Sequence, residues 1–454
     1  STITCGFYIY TYIYIYIYIY LKGLSGFVCK PIGRVVLRSL YPEMYSLRTK
    51  YEHFIRFDDT SDPLRFVGYL HKFIGLNLVN PKVIKIWRLS IFLMIVQALC
   101  FGYRLYMVSV NGSGVSYIVC AMNVVGGFVS GGIRTRSFRY FYNDFVTFRK
   151  DMLQCLRFQR DDTKAQRIRR EHHENNLKFT LAVLSAGVSL ITIWNLTDYR
   201  MNDQYRIPFD LSFLNDTVQS GLDSLFGFYI LTLAAHFWIP FVTIRVALRT
   251  LRAELLILNC SFEKLFHRAL ERSTMLVSTN SMEHIDDDRF WQCLEAELAQ
   301  LVIHHKLLLI NVDRIRRLAS VPFLAEMFAS VSIPSIAVFL FLLLGSENLS
   351  LFGISCIVMF EFYYNSSLVE ELEDAHADTG EAIYRLEWPL YLRYDGRHAR
   401  QYKNVRNSLL IGMMRSNQRL HFHCGGMYEM SMKTFSVTVK TCYTILTFLM
   451  QLTT

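Results

Sequence analysis

Along the last apolar run of the chain, Thr434, Thr438, Thr441, Thr444, Phe448 and Gln451 follow one another at intervals of three or four residues. On a helix that spacing gathers hydroxyls, an aromatic ring and an amide on one face. Such a stripe can do two kinds of work. Hydroxyl and amide oxygens can wet a passage for ions, or small hydroxyl residues can let two helices pack closely. The residue types leave both open. The His pairs at 172–173 and 304–305 and the run Asp286–Asp288 lie in basic or polar stretches without a second partner at a defined spacing, so no enzyme is expected. The ten cysteines show none of the paired close spacing of a zinc site. "HFHC", His421 to Cys424, comes nearest and lacks a second half. The thiols read as buried small apolar groups or reduced cytosolic ones, and neither a metal nor a cofactor is expected. Glu361 and Lys440 fall within apolar runs, where a charge is costly unless paired or facing water. Lys440 is read as a lining or pairing residue near an inner mouth or as snorkelling to the cytosolic face, and Arg104 as snorkelling outward.

The elements that must position these groups are membrane spans. Of 454 residues, 52% are hydrophobic and 15% aromatic, and only 19% are charged, against about a quarter charged in soluble proteins. The net charge of +10 is split among separate loops and forms no single patch, so nucleic acid is not an expected partner. Runs of membrane-crossing length recur seven times: 88–108, 116–133, 177–196, 224–245, 321–345, 350–369 and 434–452. Gly126, Gly127, Gly131 and Gly132 cluster in the second, where they would admit a close helix or leave room for a ligand. Lys and Arg number 7 in residues 44–87, 12 in 134–178, 10 in 246–320 and 9 in 370–433. The opposite connections hold only Arg200 and Arg206. This asymmetry predicts an all-α integral membrane protein of seven helices, N-terminus cytosolic and C-terminus extracellular, the reverse of a G-protein-coupled receptor. Sequons at Asn111, Asn195, Asn215 and Asn348 lie in or beside the outer loops, whereas those at Asn259 and Asn365 fall on the inner side.

Residues Tyr8 to Tyr20 read YIYTYIYIYIYIY. Strict alternation suits a strand, but here neither face is polar, and residues 5–21 are about the minimum for a membrane span. A TA dinucleotide repeat read in frame encodes the same alternation of Ile and Tyr. The expectation is that residues 1–43 are a non-native low-complexity leader without function. The rest divides into a cytosolic segment 44–87, spans one to four in 88–245, a cytosolic helical anchor 246–320, spans five and six in 321–369, a second anchor 370–433 and the last span in 434–454. Both anchors carry heptad seams. Leu294, Leu298, Leu301, His305, Leu308, Val312, Ile315 and Ala319 run into the fifth span, and Leu368, Leu372, Ala375, Thr379, Ala382 and Leu386 continue the sixth inward. A seam packs either inside one subunit or between subunits, and His305 reads as a packed core histidine.

The C-terminal third carries a resemblance. "SSLVEELEDAHADTGEAIYRLEWPLY", "NSLLIGMMRSNQ" and "MSMKTFSVTVKTCYTILTFL" resemble the signature of the insect odorant receptor family. Ala382, Tyr384 and Trp388 match its cytosolic A-x-Y-x-x-x-W run, and Phe435, Lys440, Tyr443, Thr444 and Thr447 match its last-span pattern, with Thr444 where Ser is more usual. "DPLRFVGYLHKFIGLN" is similar to the family's segment before the first span. The related gustatory receptors end differently from the stretch Tyr443 to Leu452. The 75-residue loop 246–320 lacks the extension of the co-receptor, so an odorant-tuning subunit is implied. A transporter is a third alternative, but no internal repeat is present, although Pro240 and Pro334 interrupt two spans.

The resemblance implies a ligand-gated, non-selective cation channel in the plasma membrane of an olfactory neuron dendrite. It implies a heterotetramer with the co-receptor, held through the cytosolic helices around a pore lined by the last span. Its partners would be that co-receptor, membrane lipid and a small volatile odorant. The odorant would bind in the outer halves of spans two, three, four and six, where Tyr117, Met122, Ile191, Trp194, Phe226, Tyr229 and Met359 are candidates. For each, lipid contact or core packing is the plain alternative. Thr441 and Thr444 would line the pore. Phe448 would stand at its hydrophobic constriction, larger than the branched aliphatic residue usual there, with Gln451 one turn outward. The plain reading of Phe448 is a lipid anchor at the outer interface.

Overall fold

The computed structural model describes residues 62–452, except 63, 77, 79–80, 112–114, 197–206, 210–212, 214, 216–217, 220, 223–225, 227–229, 276–286, 345–348 and 393. The leader 1–43 lies outside the described residues, as do Tyr229 and the side chains of Ile191 and Trp194. The described residues form α1 (Arg65–Phe73), α2 (Pro81–Val110), α3 (Val115–Tyr140), α4 (Tyr142–Cys155), α5 (Thr163–Leu196), α6 (Ile230–Glu263), α7 (Leu265–Met275), α8 (Asp287–Leu344), α9 (Leu349–Tyr384), α10 (Trp388–Tyr391), α11 (Ala399–Ser416) and α12 (Met432–Gln451). A short antiparallel hairpin, β1 (His423–Cys424) with β2 (Tyr428–Glu429), joins α11 to α12. The seven apolar runs lie on α2, α3, α5, α6 (from Ile230 onward), α8, α9 and α12. By length and composition, α2, α3, α8 and α9 are long and apolar enough to cross a membrane.

Helix α8 is the spine. Its 58 residues extend about 87 Å at 1.5 Å per residue, far beyond the roughly 30 Å of hydrocarbon in a bilayer. Part of it must therefore lie outside the hydrocarbon, and its N-terminal half carries the first seam. Along its length α8 touches α3, α4, α6, α7, α9, α11, α12 and β1. Every residue of both seams is buried inside this one chain, where Leu251, Leu255, Leu258 and Phe262 of α6 share their core. Of the two arrangements open to the seams, packing within a subunit is the one observed. Burying each leucine contributes about 1.5–3 kcal/mol. Val302, Ile303 and Ile310, on the opposite face of α8, are exposed.

Two glycines let neighbouring helices come close to α6. A Cβ at Gly131 of α3 would lie 3.1 Å from the side chain of Leu233, and one at Gly187 of α5 would lie 2.4 Å from the Trp238 ring. Both sites bring a neighbour against α6, and Gly126 and Gly132 turn to open space. The sequons at Asn259 and Asn365 are packed away: Asn259 donates to the Ala375 carbonyl at 2.9 Å, and Asn365 is fully buried. "HFHC" is hairpin structure. Cys424 is buried, and the Nδ1 of His421 lies 2.7 Å from a Glu429 oxygen.

His305 in the first seam faces His376 of α9, with ring centroids 5.6 Å apart and both rings buried. Burial, reinforced by the neighbouring His376 and Arg415, pulls His305 down from 6.5 to about 4. Burial lowers His376 too, against a hydrogen bond with the Arg415 carbonyl. The unfolded chain thus takes up protons in a window where the folded one does not, so stability is full above about 6.5 and declines as pH falls toward 4. The melting temperature of the purified protein is expected to drop between pH 7 and pH 5, and His305→Leu should flatten that dependence. An unchanged slope in the variant would remove His305 as its source.

Candidate functional site

Helix α12 begins in a defined cap. Ser431 Oγ accepts from the Thr434 amide at 3.2 Å, Thr434 Oγ1 donates to the Glu429 carbonyl at 2.7 Å, and the Met432 amide donates to Glu370 Oε1 of α9 at 2.8 Å. A carboxylate there also faces the positive end of the helix dipole. One side of α12 then packs. Thr438 is buried, Cys442 Sγ contacts the Ser330 carbonyl at 3.1 Å, and Ser335 Oγ donates to the Cys442 carbonyl at 3.2 Å. Farther along, Leu446, Leu449 and Met450 pack against Val119 and Cys120 of α3, Ala337, Phe339 and Leu340 of α8 and Leu351 of α9.

The other side is open. Thr441, Thr444, Phe448 and Gln451 are all exposed, Phe448 by 58%. The hydroxyl stripe therefore splits, with Thr434 half-buried and Thr438 inside and the remainder outside. A series averaging fewer than 3.6 residues per turn rotates around a helix, so its two ends cannot share one neighbour. Close packing describes the Thr438 half, and the other half is left uncovered in this chain. On the open half, Thr441 and Thr444 donate their protons to the Val437 and Lys440 carbonyls at 2.9 and 3.1 Å. Their lone pairs are left facing outward. Lys440 is exposed as well.

The residues expected to bind ligand separate. Tyr117 and Met122 stand at the surface of the bundle, 51% and 53% exposed, and Met359 is half-buried. Phe226 enters an aromatic group with Phe101 of α2 at 5.3 Å, and Phe101 in turn meets Phe128 of α3 at 5.7 Å. Gln97 Nε2 donates to the Phe226 carbonyl at 2.7 Å, and its buried Oε1 has no hydrogen-bond partner among the described residues. Gln97, Phe101 and Phe128 were missed by sequence reasoning. The available signal was Gln97, an amide in the middle of the first apolar run.

Elsewhere in the bundle, Glu361 of α9 meets Arg134 of α3 at 2.5 Å, with both groups buried. The Arg134 guanidinium also lies 3.8 Å from the Phe237 ring centroid. Asn365 Nδ2 donates to both oxygens of Glu326, a buried α8 carboxylate, at 2.9 Å each. The sequence marked Glu361 as needing a partner. It did not show which one, and it did not single out Glu326.

A family model described as 7tm Odorant receptor matches residues 115–443. The chain belongs to the odorant receptor family. Among solved structures it is similar to the insect olfactory receptor OR5 from Machilis hrabei, with a TM-score of 0.61 at 12% identity over 86% of this chain and 99% of that one. It is also similar to the same receptor in complex with eugenol, with a TM-score of 0.62 at 12% identity over 87% and 100%. At that identity the likeness is one of fold. No curated protein matches the sequence. A receptor family is not an enzyme family, in keeping with the isolated His and Asp runs.

One polar cluster of this odorant receptor has metal-ligand chemistry. Cys155, Glu254 and His304, from α4, α6 and α8, bring a thiol, a carboxylate and an imidazole within 4.8 Å of one another. Arg169 already holds the carboxylate, with Nε and Nη2 at 2.8 and 2.9 Å from its two oxygens. Burial acts to raise the Glu254 carboxyl, but the paired hydrogen bonds and charge of Arg169, with the His304 ring 3.6 Å away, outweigh it and hold it below the ordinary range. Burial, with Glu254 nearby, pushes the Cys155 thiol well up. A neutralised carboxylate beside a protonated thiol and a guanidinium is poor company for a cation, so the cluster is an ion-paired joint. Arg169 also takes the Cys155 and Phe158 carbonyls at the end of α4, at 2.8 and 3.0 Å, which closes groups a helix terminus leaves open. Arg169→Met should cost about 3–5 kcal/mol by stranding a buried charge, read as a lower melting temperature and lower yield. Arg169→Met with Glu254→Met should recover most of it, and failure to recover would show that the carbonyl contacts dominate.

Proposed function

We propose that this odorant receptor is an odorant-tuning subunit of a heterotetrameric, ligand-gated, non-selective cation channel, completed by the co-receptor in the plasma membrane of an olfactory neuron. The two-faced α12 carries the reading. One face is committed to α8, and the other offers outward hydroxyl oxygens at Thr441 and Thr444, an apolar ring at Phe448 and an amide at Gln451. Oxygen acceptors suit a passing cation, and an uncharged ring closes a pore because ions do not shed their water into it. Family membership supports the same assignment.

In this reading residues 88–245 form the ligand-binding part, 246–320 and 370–433 the anchors, and 434–454 the pore helix. The exposed Val302 and Ile303 of α8, with Ile411 and Met414 of α11, support subunit contact at the anchors. For the odorant, the group of Phe226, Phe101, Phe128 and Gln97 combines apolar walls with one orienting amide, as small-ligand sites do. Tyr117, Met122, Ile191, Trp194, Tyr229 and Met359 remain candidates around it. The complex of a similar receptor with eugenol supports a small volatile ligand.

The N-terminus is cytosolic and the C-terminus extracellular on this reading. A tag after Thr454 should be reached by antibody on intact cells and a tag before Met44 should not; the reverse pattern would sink the topology. Permeation is tested with the co-receptor present, by recording current evoked by volatile ligands. Phe448→Ser and Phe448→Gln should alter standing current or ion selectivity while leaving odorant potency nearly unmoved. Unchanged permeation in both would assign Phe448 to lipid.

A further inference from the structure

Ten residues of α9, Glu361 to Glu370, touch both halves of the molecule. On one face, at helical spacing, stand Glu361, Tyr364 and Asn365. Glu361 takes Arg134 of α3, and Arg134 in turn lies over Phe237 of α6. Tyr364 accepts from Arg245 Nη2 of α6 at 2.9 Å, and that guanidinium lies 3.1 Å from the Phe179 ring centroid of α5. Asn365 holds Glu326 of α8. The helices that carry the candidate odorant residues thus converge on little more than one turn of α9.

The other side of the same segment holds the start of α12. Phe362 and Tyr363 meet the Phe435 ring at 6.0 and 5.4 Å. Ser366 Oγ contacts Met430 Sδ at 3.9 Å, and Glu370 accepts the Met432 amide at 2.8 Å.

We propose that Glu361–Glu370 of α9 is the coupling element between the odorant-side helices and the first turns of α12, with Arg134, Glu361 and Glu370 as positioning residues. The inference rests on the ligand-gated reading. Its physical basis is that a buried ion pair tolerates little sliding, because separating the partners strands a charge in a medium that cannot solvate it. A shift of α3 or α6 therefore carries α9 along. The Glu370 cap and the Phe435 contacts then deliver that shift to the end of α12 farthest from Phe448. Spatial intermediacy alone does not establish coupling, so the test measures it.

The receptor assembled with its co-receptor in nanodiscs is compared with its Glu361→Gln, Arg134→Lys and Arg134→Glu/Glu361→Arg forms by hydrogen–deuterium exchange. Neither Arg134 nor Glu361 has a hydrogen bond, ion pair or ring contact to α12 among the described residues. Coupling nonetheless requires faster exchange of the amides of Phe435 to Cys442 in the two single variants. An increase of about fivefold or more is expected, with the charge-swapped form returning toward wild type. Faster exchange confined to α3 and α9, with α12 as in wild type, would mean the ion pair is only local and would overturn the proposal. Should Glu361→Gln fail to assemble, Arg134→Lys, which keeps the charge, decides by the same comparison. Ligand-evoked current is recorded in parallel. Coupled exchange in a wild-type assembly that no ligand opens would leave this inference standing and remove the gating reading instead.

Discussion

A charge can remain inside an apolar bundle only where an opposite charge or a ring of acceptors meets it, and that constraint decides how the helices of this odorant receptor sit against one another. Arg134 and Glu361 are separated by 227 positions in sequence and are joined because neither could be buried alone. Arg245 follows the same rule by other means, lying against the Phe179 ring and donating to the Tyr364 hydroxyl, so that a ring quadrupole and an oxygen acceptor replace water. Elsewhere in the bundle, Arg169 and Glu254 repeat it with a bidentate pair that also closes the end of α4. At each of these three joints an arginine binds helices that are distant in sequence.

Around those joints the apolar packing is continuous. The two seams of α8 and α9 share one core with the C-terminal half of α6. That arrangement leaves the opposite faces of α8 and α11 free, with apolar side chains in the open. Exposed apolar surface of this kind marks interaction sites in soluble proteins, and it is the basis of the subunit contact proposed at these faces.

Helix α12 shows how one element serves two neighbours. Its packed side is defined by small groups, Thr438 and Cys442, that allow α8 to come close, and its open side by hydroxyls whose protons are returned to the helix backbone. Returning the proton to the carbonyl four residues back costs little helix stability and fixes which atoms face outward. Local chemistry thus sets the character of the open face, and packing against α8 sets its direction.

The sequence by itself determined the class of this protein. Run length, the Lys and Arg asymmetry and the heptad spacing are local properties, each readable within one segment, because the bilayer and the helix impose fixed lengths and periods. Local residues also showed that Glu361 needed a partner and that the last span carried hydroxyls. Only the tertiary structure decided that the partner is Arg134, that both seams pack inward, that Thr438 and Thr444 lie on different sides of α12, and that Phe226 gathers Gln97 and Phe101 around it. Those outcomes depend on which helix lies beside which. Helical periodicity says that a face must be covered and cannot say by what, because many partners of similar size and polarity would satisfy the same face.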